Sequence, residues 1–402
     1  MDRGHPSAVA DTKTADKTSS TDAQATASDV EKQEPPPQHA PCCEPSQSRL
    51  SAFSSLGFLD RFLAAWIFLA MLIGILLGNF VDDVQPALQR GNFVGVSLPI
   101  AIGLLVMMYP ILCKVQYEKL HEVFRTREVW VQLGFSIIVN WIIAPLVMLG
   151  LAWAFLPDQQ GLREGLILVG IARCIAMVLI WNSLARGHGD YCAILVAVNS
   201  LLQIVLFAPL SLLFLRVFNP HARQAMQDIS YATVATSVGV FLGIPLGAAM
   251  LTRLVLLPLL GPDRYRTHFV RFAAPWSLIG LLFTILVLFA SQGKQVVHQI
   301  VSVVRVAAPL VVYFALIFFA TLVLARKMGF RYGYAVTQSF TAASNNFELA
   351  IAVAVAAFGP HSDQALAATV GPLIEVPVLL GLVYAVRWFA KRTGWKDPEV
   401  ES

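Results

Sequence analysis

The sequence predicts an all-α polytopic membrane protein, and two observations lead to that prediction. Of the 402 residues, 56% are hydrophobic and 13% are charged, whereas soluble domains average about 45–50% and about 25%. The apolar residues also form runs long enough to cross about 30 Å of hydrocarbon as helices. The ten predicted spans are 61–80, 93–112, 129–156, 164–185, 191–218, 231–258, 275–291, 298–325, 334–357 and 364–386.

The first 50 residues differ in composition from everything after them. They are rich in Ser, Thr, Asp, Lys and Pro and contain almost no large apolar side chain. Such a segment cannot bury enough surface to offset its ordering entropy, so we expect a disordered tail. It also lacks the apolar centre of a signal peptide. The adjacent thiols of Cys42 and Cys43 could capture a soft metalloid, but such a pair in a tail is more often incidental.

Basic residues predict the orientation of the spans. Most Lys and Arg of the membrane region lie in the loops after the second, fourth, sixth and eighth spans and after the tenth. The positive-inside rule therefore predicts that both termini are cytoplasmic. The net charge of +4 is spread over these short loops and does not form the basic face of a nucleic-acid-binding protein.

A weak internal repeat divides the membrane region into halves. Gly74–Gly78 (GILLG) matches Gly243–Gly247 (GIPLG) at an offset of 169 residues, and the same offset aligns Gly170–Val178 with Ser339–Phe347. Five spans per half is an odd number, so the second half must be inverted in the membrane, as in many secondary transporters. The predicted organisation is a tail at 1–50, inverted five-helix repeats at 51–218 and 219–392, and a short cytoplasmic tail at 393–402.

The fourth span places a cation at mid-membrane depth. Arg173 lies in the middle of this span, and Glu348 and Glu375 lie at comparable depth in the ninth and tenth. A buried charge of this kind costs about 2.5–3.5 kcal/mol and indicates a partner or a wet cavity. Arg173 and Glu348 are the opposite charges most expected to meet. All histidines lie in loops, at helix ends or in the tail, so a mid-membrane proton carrier should be a carboxylate. The alternative is a permanent ion pair that only fixes helix packing.

The fourth and ninth spans are predicted to be discontinuous helices. Thr341–Asn346 is too polar for a lipid-facing turn, and asparagine side chains can replace hydrogen bonds that are lost where a helix opens. Pro372 and Pro377 flank Glu375 and are expected to loosen the tenth span. Alternatively, Ser344, Asn345 and Asn346 hold ordinary transmembrane helices together. These two readings differ in whether the polar residues line a solute path.

Cysteine chemistry distinguishes one thiol from the others in the membrane. Cys174 follows Arg173 directly, and a neighbouring cation favours the thiolate that attacks soft electrophiles. Cys113 and Cys192 have no such neighbour and are expected to be ordinary buried cysteines. No paired CxxC spacing occurs, so we predict neither a zinc site nor a structural disulfide.

Four segments together resemble the arsenite efflux permeases of the arsenical-resistance type-3 family, within the bile acid/sodium symporter superfamily. They are GIARCIAMVLIWNSLARG, TAASNNFELAIAVA, FLGIPLGA at 241–248 and GPLIE at 371–375, and the resemblance covers residues 55–392. It implies two inverted halves, crossed broken helices 4 and 9, and export of trivalent arsenic in exchange for protons. By motif match, Cys174 corresponds to the essential cysteine of the family. The other positions tied to transport there are Arg173, Trp181, Asn346, Glu348 and Glu375.

The resulting expectation is an arsenite exporter in the plasma membrane, with antimonite as a second substrate. We expect neither a cofactor nor catalytic or metal-ligating residues; the partners are As(III), protons and the bilayer. Glu348 and Glu375 are the predicted proton-coupling residues. The predicted substrate-binding residues are Cys174, Arg173, Asn345, Asn346, Ser344 and Trp181.

Two other functions remain open from the sequence. A sodium-coupled transporter of a small organic anion would use Arg173 to face the anion and leave Cys174 idle. A non-transporting thiophile sensor would use Cys42 and Cys43 as its receptor but leaves the mid-membrane charges unexplained. An intramembrane enzyme is not indicated, since no second nucleophile, histidine base or metal cluster accompanies Cys174.

Overall fold

A computed structural model describes residues 62–81, 83–88, 91–115, 117, 127–175, 177–217 and 231–395. The predicted N-terminal tail with Cys42 and Cys43 lies outside the described residues. Every predicted span contains helix, which confirms the all-α polytopic class. Within the described residues, six helices are long and apolar enough to cross a membrane, and further apolar helices are shorter.

The first half of the described chain contains eight helices of 5 to 29 residues, one π turn and one hairpin. In chain order they are α1 (Leu63–Phe80), α2 (Val84–Leu88), β1 (Asn92–Phe93), β2 (Val96–Ser97), α3 (Leu98–Cys113), α4 (Arg127–Ile138), the π turn Val139–Ile143, α5 (Ala144–Phe155), α6 (Gln160–Ile171), α7 (Val178–Leu184) and α8 (Gly189–Val217).

The named elements of the second half are all helices or π turns. In chain order its elements are α9 (Tyr231–Val238), the π turn Gly239–Gly243, α10 (Ile244–Leu260), α11 (Pro262–Arg264), the π turn Tyr265–Val270, α12 (Arg271–His298), α13 (Ile300–Lys327), α14 (Tyr332–Ala343), α15 (Phe347–Phe358) and α16 (Asp363–Thr393).

The second span begins later than predicted. Residues 92–97 form an antiparallel hairpin in which Asn92 faces Ser97 and Phe93 faces Val96. Its two-residue turn has positive φ at both positions, the geometry of a type I′ turn. The helix therefore starts at Leu98, because the hairpin provides the backbone hydrogen bonds before it.

Proline explains the π turn inside the third span. Pro145 lacks an N–H, and its ring crowds the carbonyl four residues earlier, that of Trp141. The helix widens at this point, so that Ala144 N donates to the carbonyl of Val139, five residues back. The π turn before Pro245 repeats this pattern in the sixth span.

The fourth and ninth spans are interrupted, as predicted, and the tenth is not. Six residues separate α6 from α7, and three residues separate α14 from α15. Helix α16 runs without a break through Pro372 and Pro377, so the prolines do not interrupt this span. Each proline removes a single hydrogen bond, and the buried turns around it keep theirs.

The membrane helices pack as two groups. Helices α1, α3, α10 and α12 pack mainly on one another, whereas α5, α6, α8, α13, α14, α15 and α16 form the second group. Helix α9 belongs to the sixth span and packs against α8 and α15 of the second group. The interrupted helices thus lie in the second group, beside the element that connects it to the first.

Glycines allow α3 and α12 to approach closely. A Cβ atom on Gly103 would lie 2.3 Å from the hydroxyl of Thr284, and one on Gly280 would lie 2.7 Å from the backbone nitrogen of Met107. Gly103 and Gly280 are 177 positions apart, and so are Met107 and Thr284. Exchanging the two helices therefore converts one contact into the other. The helices cross with a local two-fold relation.

The outer surface is apolar, as contact with lipid requires. Leu254 and Leu259 are each 75% exposed and Phe272 is 71% exposed. Side chains of this kind are normally buried in soluble proteins. Together with the apolar helices, they identify a multi-pass membrane protein.

Candidate functional site

The two helix interruptions meet in the second group of helices. Cys174 N donates to the carbonyl of Ser344 at 3.3 Å, and Asn346 N donates to the carbonyl of Ala172 at 3.1 Å. Arg173 and Asn345 form the central pair of this short antiparallel ladder. We call residues 172–174 and 344–346 the crossing. The two segments are more than 160 positions apart in the sequence, and the fold brings them into backbone contact.

Arg173 is fully buried and binds no carboxylate among the described residues. Its guanidinium donates to the Tyr313 hydroxyl at 3.2 and 3.3 Å, to the carbonyl of Ala342 at 3.4 Å and to that of Gly170. Gly170 and Ala342 lie in the last turns of α6 and α14. The expected ion pair between Arg173 and Glu348 is therefore wrong. The cation instead caps the carboxyl ends of two helices, where a positive charge is favourable.

Glu375 is attached directly to the crossing. Its side chain is 3% exposed, and its Oε1 accepts hydrogen bonds from the Ser344 hydroxyl and from Asn345 N, the latter at 3.3 Å. Glu348 lies in the first turn of α15 and is partly exposed. There the helix dipole stabilises an anion.

The two asparagines of the crossing cap the broken helices. Asn345 Nδ2 donates to the carbonyls of Val169 at 2.7 Å and Ala172 at 3.2 Å, at the end of α6. Asn346 Oδ1 accepts from Leu349 N at 3.1 Å and caps the start of α15. These contacts supply hydrogen bonds that the interrupted helices lack, as the sequence predicted for broken spans.

Cys174 and Trp181 are the remaining predicted site residues, and both are buried, at 1% and 2% exposure. Cys174 is part of the crossing, and Trp181 lies on α7, which follows it. Cys113 and Cys192 are also buried and unoxidised. They lie on α3 and α8, outside the crossing, in agreement with the prediction that they are ordinary buried cysteines.

Several buried polar atoms near the crossing have no hydrogen-bond partner within the described residues. Such atoms are costly unless something pairs with them. Four of them are donors and one is an acceptor. They are Arg173 Nε, Trp181 Nε1, Gln203 Nε2, Asn346 Nδ2 and Asn345 Oδ1.

The start of α15 is pressed against α16. A Cβ atom on Gly371 would lie 1.8 Å from the ring of Phe347, so only glycine fits at this position. Phe347 precedes Glu348, and Gly371 lies one turn before Glu375 on its helix. The close approach therefore sets the distance between the two carboxyl-bearing helices.

Sequence reasoning missed two buried residues of the site. Tyr313 on α13 binds the Arg173 guanidinium, and Gln203 on α8 accepts from Arg173 N at 2.6 Å. Gln203 could have been identified from the sequence, because an amide in the middle of an apolar span must find a buried partner. The hydroxyl of Tyr313 is a weaker indication of such a partner.

Two further buried charges lie at the opposite end of α6. Glu164 accepts hydrogen bonds from Gln160 and Gln364, both at 2.8 Å, and is 2% exposed. Arg163 is equally buried, with its guanidinium 3.8 Å above the Trp153 ring. The predicted fourth span, 164–185, leaves Arg163 in the loop before it and gives no sign that Glu164 is buried. Both gain their burial from α16 and α5, which the sequence does not place.

Comparison with known proteins finds one family and several relatives. A model of the sodium bile acid symporter family matches residues 101–299. The arsenical-resistance protein Acr3 of Corynebacterium glutamicum is 45% identical over 349 residues, which are 86% of this chain and 94% of that protein. The arsenical-resistance protein Acr3 of Alkaliphilus metalliredigens is 29% identical over 355 residues, 86% and 96%. An uncharacterised transporter of Synechocystis sp. is 33% identical over 373 residues, 87% and 94%.

Proposed function

This chain belongs to the arsenical-resistance Acr3 family of transporters, and we propose that it exports arsenite from the cytoplasm in exchange for protons. The Acr3 relatives cover the membrane region almost end to end, and the chain is a multi-pass membrane transporter rather than an enzyme. We also propose that the protein lies in the plasma membrane with both termini cytoplasmic. The observation that supports arsenite export is the position of Cys174 in the crossing, next to a buried cation and a set of unpaired polar atoms.

The chemistry of the crossing suits a small neutral hydroxide. As(III) exists near neutral pH mostly as a trihydroxide, whose oxygens accept and whose hydroxyls donate hydrogen bonds. The unpaired donors and the single unpaired acceptor near the crossing match such a solute. Cys174 adds a soft sulfur ligand, and one thiol permits release. Antimonite, with the same valence and a larger ion, is the proposed second substrate.

Two carboxyl groups could couple this site to protons. Glu348 is partly exposed, so in the proposed cycle it receives an external proton first. Glu375 follows, and protonation of its carboxylate weakens the hydrogen bonds it accepts from Ser344 and Asn345. The crossing then loosens and releases the metalloid outside. Deprotonation towards the cytoplasm restores these bonds.

Contacts at the crossing support two inverted repeats. Cys174 and Asn346 are 172 positions apart, and so are Ala172 and Ser344. The hydrogen bond from Cys174 N to Ser344 is therefore equivalent to the one from Asn346 N to Ala172. The same offset relates the helices α6 and α14, residues 160–171 and 332–343. This register replaces the offset of 169 expected at these spans. The second group of helices, which holds the crossing, is the proposed moving body.

The geometry does not favour the sodium-coupled organic anion transporter. That function needs Arg173 to face an anion, and its guanidinium is instead bound to Tyr313 and two backbone carbonyls. The thiophile sensor rests on Cys42 and Cys43, which lie outside the described residues. Neither alternative gains support from the crossing.

Everted membrane vesicles test the proposed function. We expect arsenite to accumulate inside when a pH gradient is imposed, acid inside, and to do so equally well without Na⁺. A collapse of uptake on adding a protonophore checks the coupling. Uptake that requires Na⁺, or that ignores the pH gradient, contradicts proton exchange.

A further inference from the structure

The central residues of the crossing each have a backbone N–H that faces away from the ladder. In an antiparallel pair of this kind, the hydrogen bonds are made by the flanking residues, and the central pair points outward. Here Arg173 and Asn345 are the central pair, and their neighbours form both interstrand hydrogen bonds. Each outward N–H is buried and needs an acceptor from another element.

Two side chains on long helices accept these outward N–H groups. Gln203 Oε1 on α8 accepts from Arg173 N at 2.6 Å, and Glu375 Oε1 on α16 accepts from Asn345 N at 3.3 Å. Gln203 is 0% exposed and Glu375 is 3% exposed. The two halves of the crossing are thus held by the same kind of contact, from an amide on one side and a carboxyl group on the other.

The two acceptors occupy equivalent positions. The offset of 172 that exchanges the ladder hydrogen bonds also converts Arg173 into Asn345 and Gln203 into Glu375. The carbonyls bound by the Arg173 guanidinium, those of Gly170 and Ala342, differ by the same 172. Three independent sets of contacts therefore share one register.

We infer that Gln203 and Glu375 are matched positioning residues, and that their single chemical difference makes only one half of the crossing respond to protons. Gln203 holds the half that contains Cys174 and does not titrate. Glu375 holds the half that contains Ser344 and Asn345, and the strength of the hydrogen bonds it accepts changes with protonation. The inference rests on the proposed function, since it assigns proton coupling to Glu375, and it adds that Gln203 fixes the thiol side.

The groups facing the crossing define what else can titrate there. The Arg173 guanidinium donates to Tyr313 and two carbonyls, and these neutral groups leave its Nε without a partner within the described residues. The other titratable groups of the described residues that face the crossing are Cys174 on the ladder, Tyr313 on α13, Glu348 on α15, Glu375 on α16 and Cys192 on α8.

Substitution of Gln203 tests the inference in two directions. Gln203→Leu removes the acceptor and should slow arsenite uptake about tenfold, since a buried N–H left without a partner is costly. Gln203→Glu keeps the acceptor and should restore transport, but the rate should gain a second pH-dependent step that wild type lacks. Ser200→Ala is the matched control. Ser200 is buried on the same helix, and within the described residues its hydroxyl bonds only to the carbonyl of Val196, so wild-type behaviour is expected.

Alkylation of Cys174 gives a readout that does not need transport. The rate of reaction with iodoacetamide, measured by mass spectrometry of the Cys174 peptide in purified protein, should follow one titration in wild type and two in Gln203→Glu. If vesicles fail to accumulate arsenite, the proposed function fails, and this measurement still decides the inference. A wild-type alkylation profile in Gln203→Glu, or full transport by Gln203→Leu, overturns it.

Discussion

Arg173 carries a buried positive charge that helix ends, rather than a carboxylate, offset. The carboxyl end of a helix bears about half a negative charge, and the guanidinium binds carbonyls at the ends of both α6 and α14. Two such ends together balance one cation. This leaves Glu348 and Glu375 free of the ion pair that would otherwise fix their charge.

The first prediction concerns the thiol at the crossing. Cys174→Ser should fold and lose arsenite transport in vesicles, because serine keeps the size and hydrogen-bonding capacity of the residue but not the soft sulfur. Size-exclusion chromatography in detergent verifies folding.

Cys113→Ser is the control and should lower transport only mildly, because Cys113 lies on α3 in the first group of helices. Cys192→Ser should also be mild, because its thiol faces the crossing without being part of the ladder. Transport by a folded Cys174→Ser protein at the wild-type rate would remove the thiol from the mechanism.

The second prediction concerns Glu348. Because Arg173 does not depend on it, Glu348→Gln should fold and still bind As(III), yet lose uptake driven by a pH gradient. Glu348→Asp should retain part of the uptake, since it keeps a titrating group one methylene further back. Uptake as a function of the imposed gradient, together with As(III) binding to purified protein, provides the measurement.

An unfolded Glu348→Gln protein would instead indicate a buried pair broken on one side, for which the cost is about 3–5 kcal/mol. Unchanged pH dependence in folded Glu348→Gln vesicles would assign the proton to Glu375.

At the scale of elements, the contact between α15 and α16 fixes the geometry of the carboxyl groups. Gly371 has no room for a methyl group because the Phe347 ring occupies that space. Two helices that each carry a carboxyl group are thereby held at a distance that a larger residue would change.

The third prediction follows from this contact. Gly371→Ala should lower the thermal unfolding midpoint, because overpacking in a close-packed site costs about 1–3 kcal/mol. It should also reduce transport by displacing Glu348. Thermal unfolding of the purified protein in detergent measures the first effect, and vesicle uptake measures the second.

Gly381→Ala on the same helix is the matched control, since nothing lies within 4 Å of its added Cβ. Alanine there should be neutral or slightly stabilising, because it raises helix propensity. Equal midpoints for the two variants would show that the Phe347 ring moves aside without cost.

At the scale of the whole molecule, the residues of the proposed transport site come from helices of both halves of the membrane region. All the predicted site residues lie between 173 and 375, and their contacts are made by α6, α8, α13, α14, α15 and α16.

The fourth prediction is that deletion of residues 1–48 spares transport. Vesicles with equal amounts of full-length and shortened protein should accumulate arsenite at similar initial rates, because the crossing and both groups of helices are retained. Replacing Cys42 and Cys43 with serine in the full chain separates tail chemistry from tail length. A large loss in both variants would revive capture of As(III) by the tail thiols.

The sequence by itself determined the class of the protein, the two interrupted spans and the residues around Arg173. Each of these depends on local composition: apolar runs of membrane length, a charge at mid-depth and a run of polar residues that a lipid-facing helix does not tolerate. The asparagine caps could also be predicted from local sequence, since Asn345 and Asn346 lie where the ninth span is interrupted.

Only the tertiary structure decided which partners these residues have. Arg173 meets Tyr313 and two helix ends instead of Glu348, Gln203 joins the site from α8, and the contacts at the crossing relate residues at an offset of 172 instead of 169. Contacts between residues more than 100 positions apart depend on how helices pack and cross, and a weak match of short motifs can be displaced by almost one turn without changing hydropathy. The sequence therefore located the polar and charged residues of the site, and the packing of the helices determined which of them are in contact.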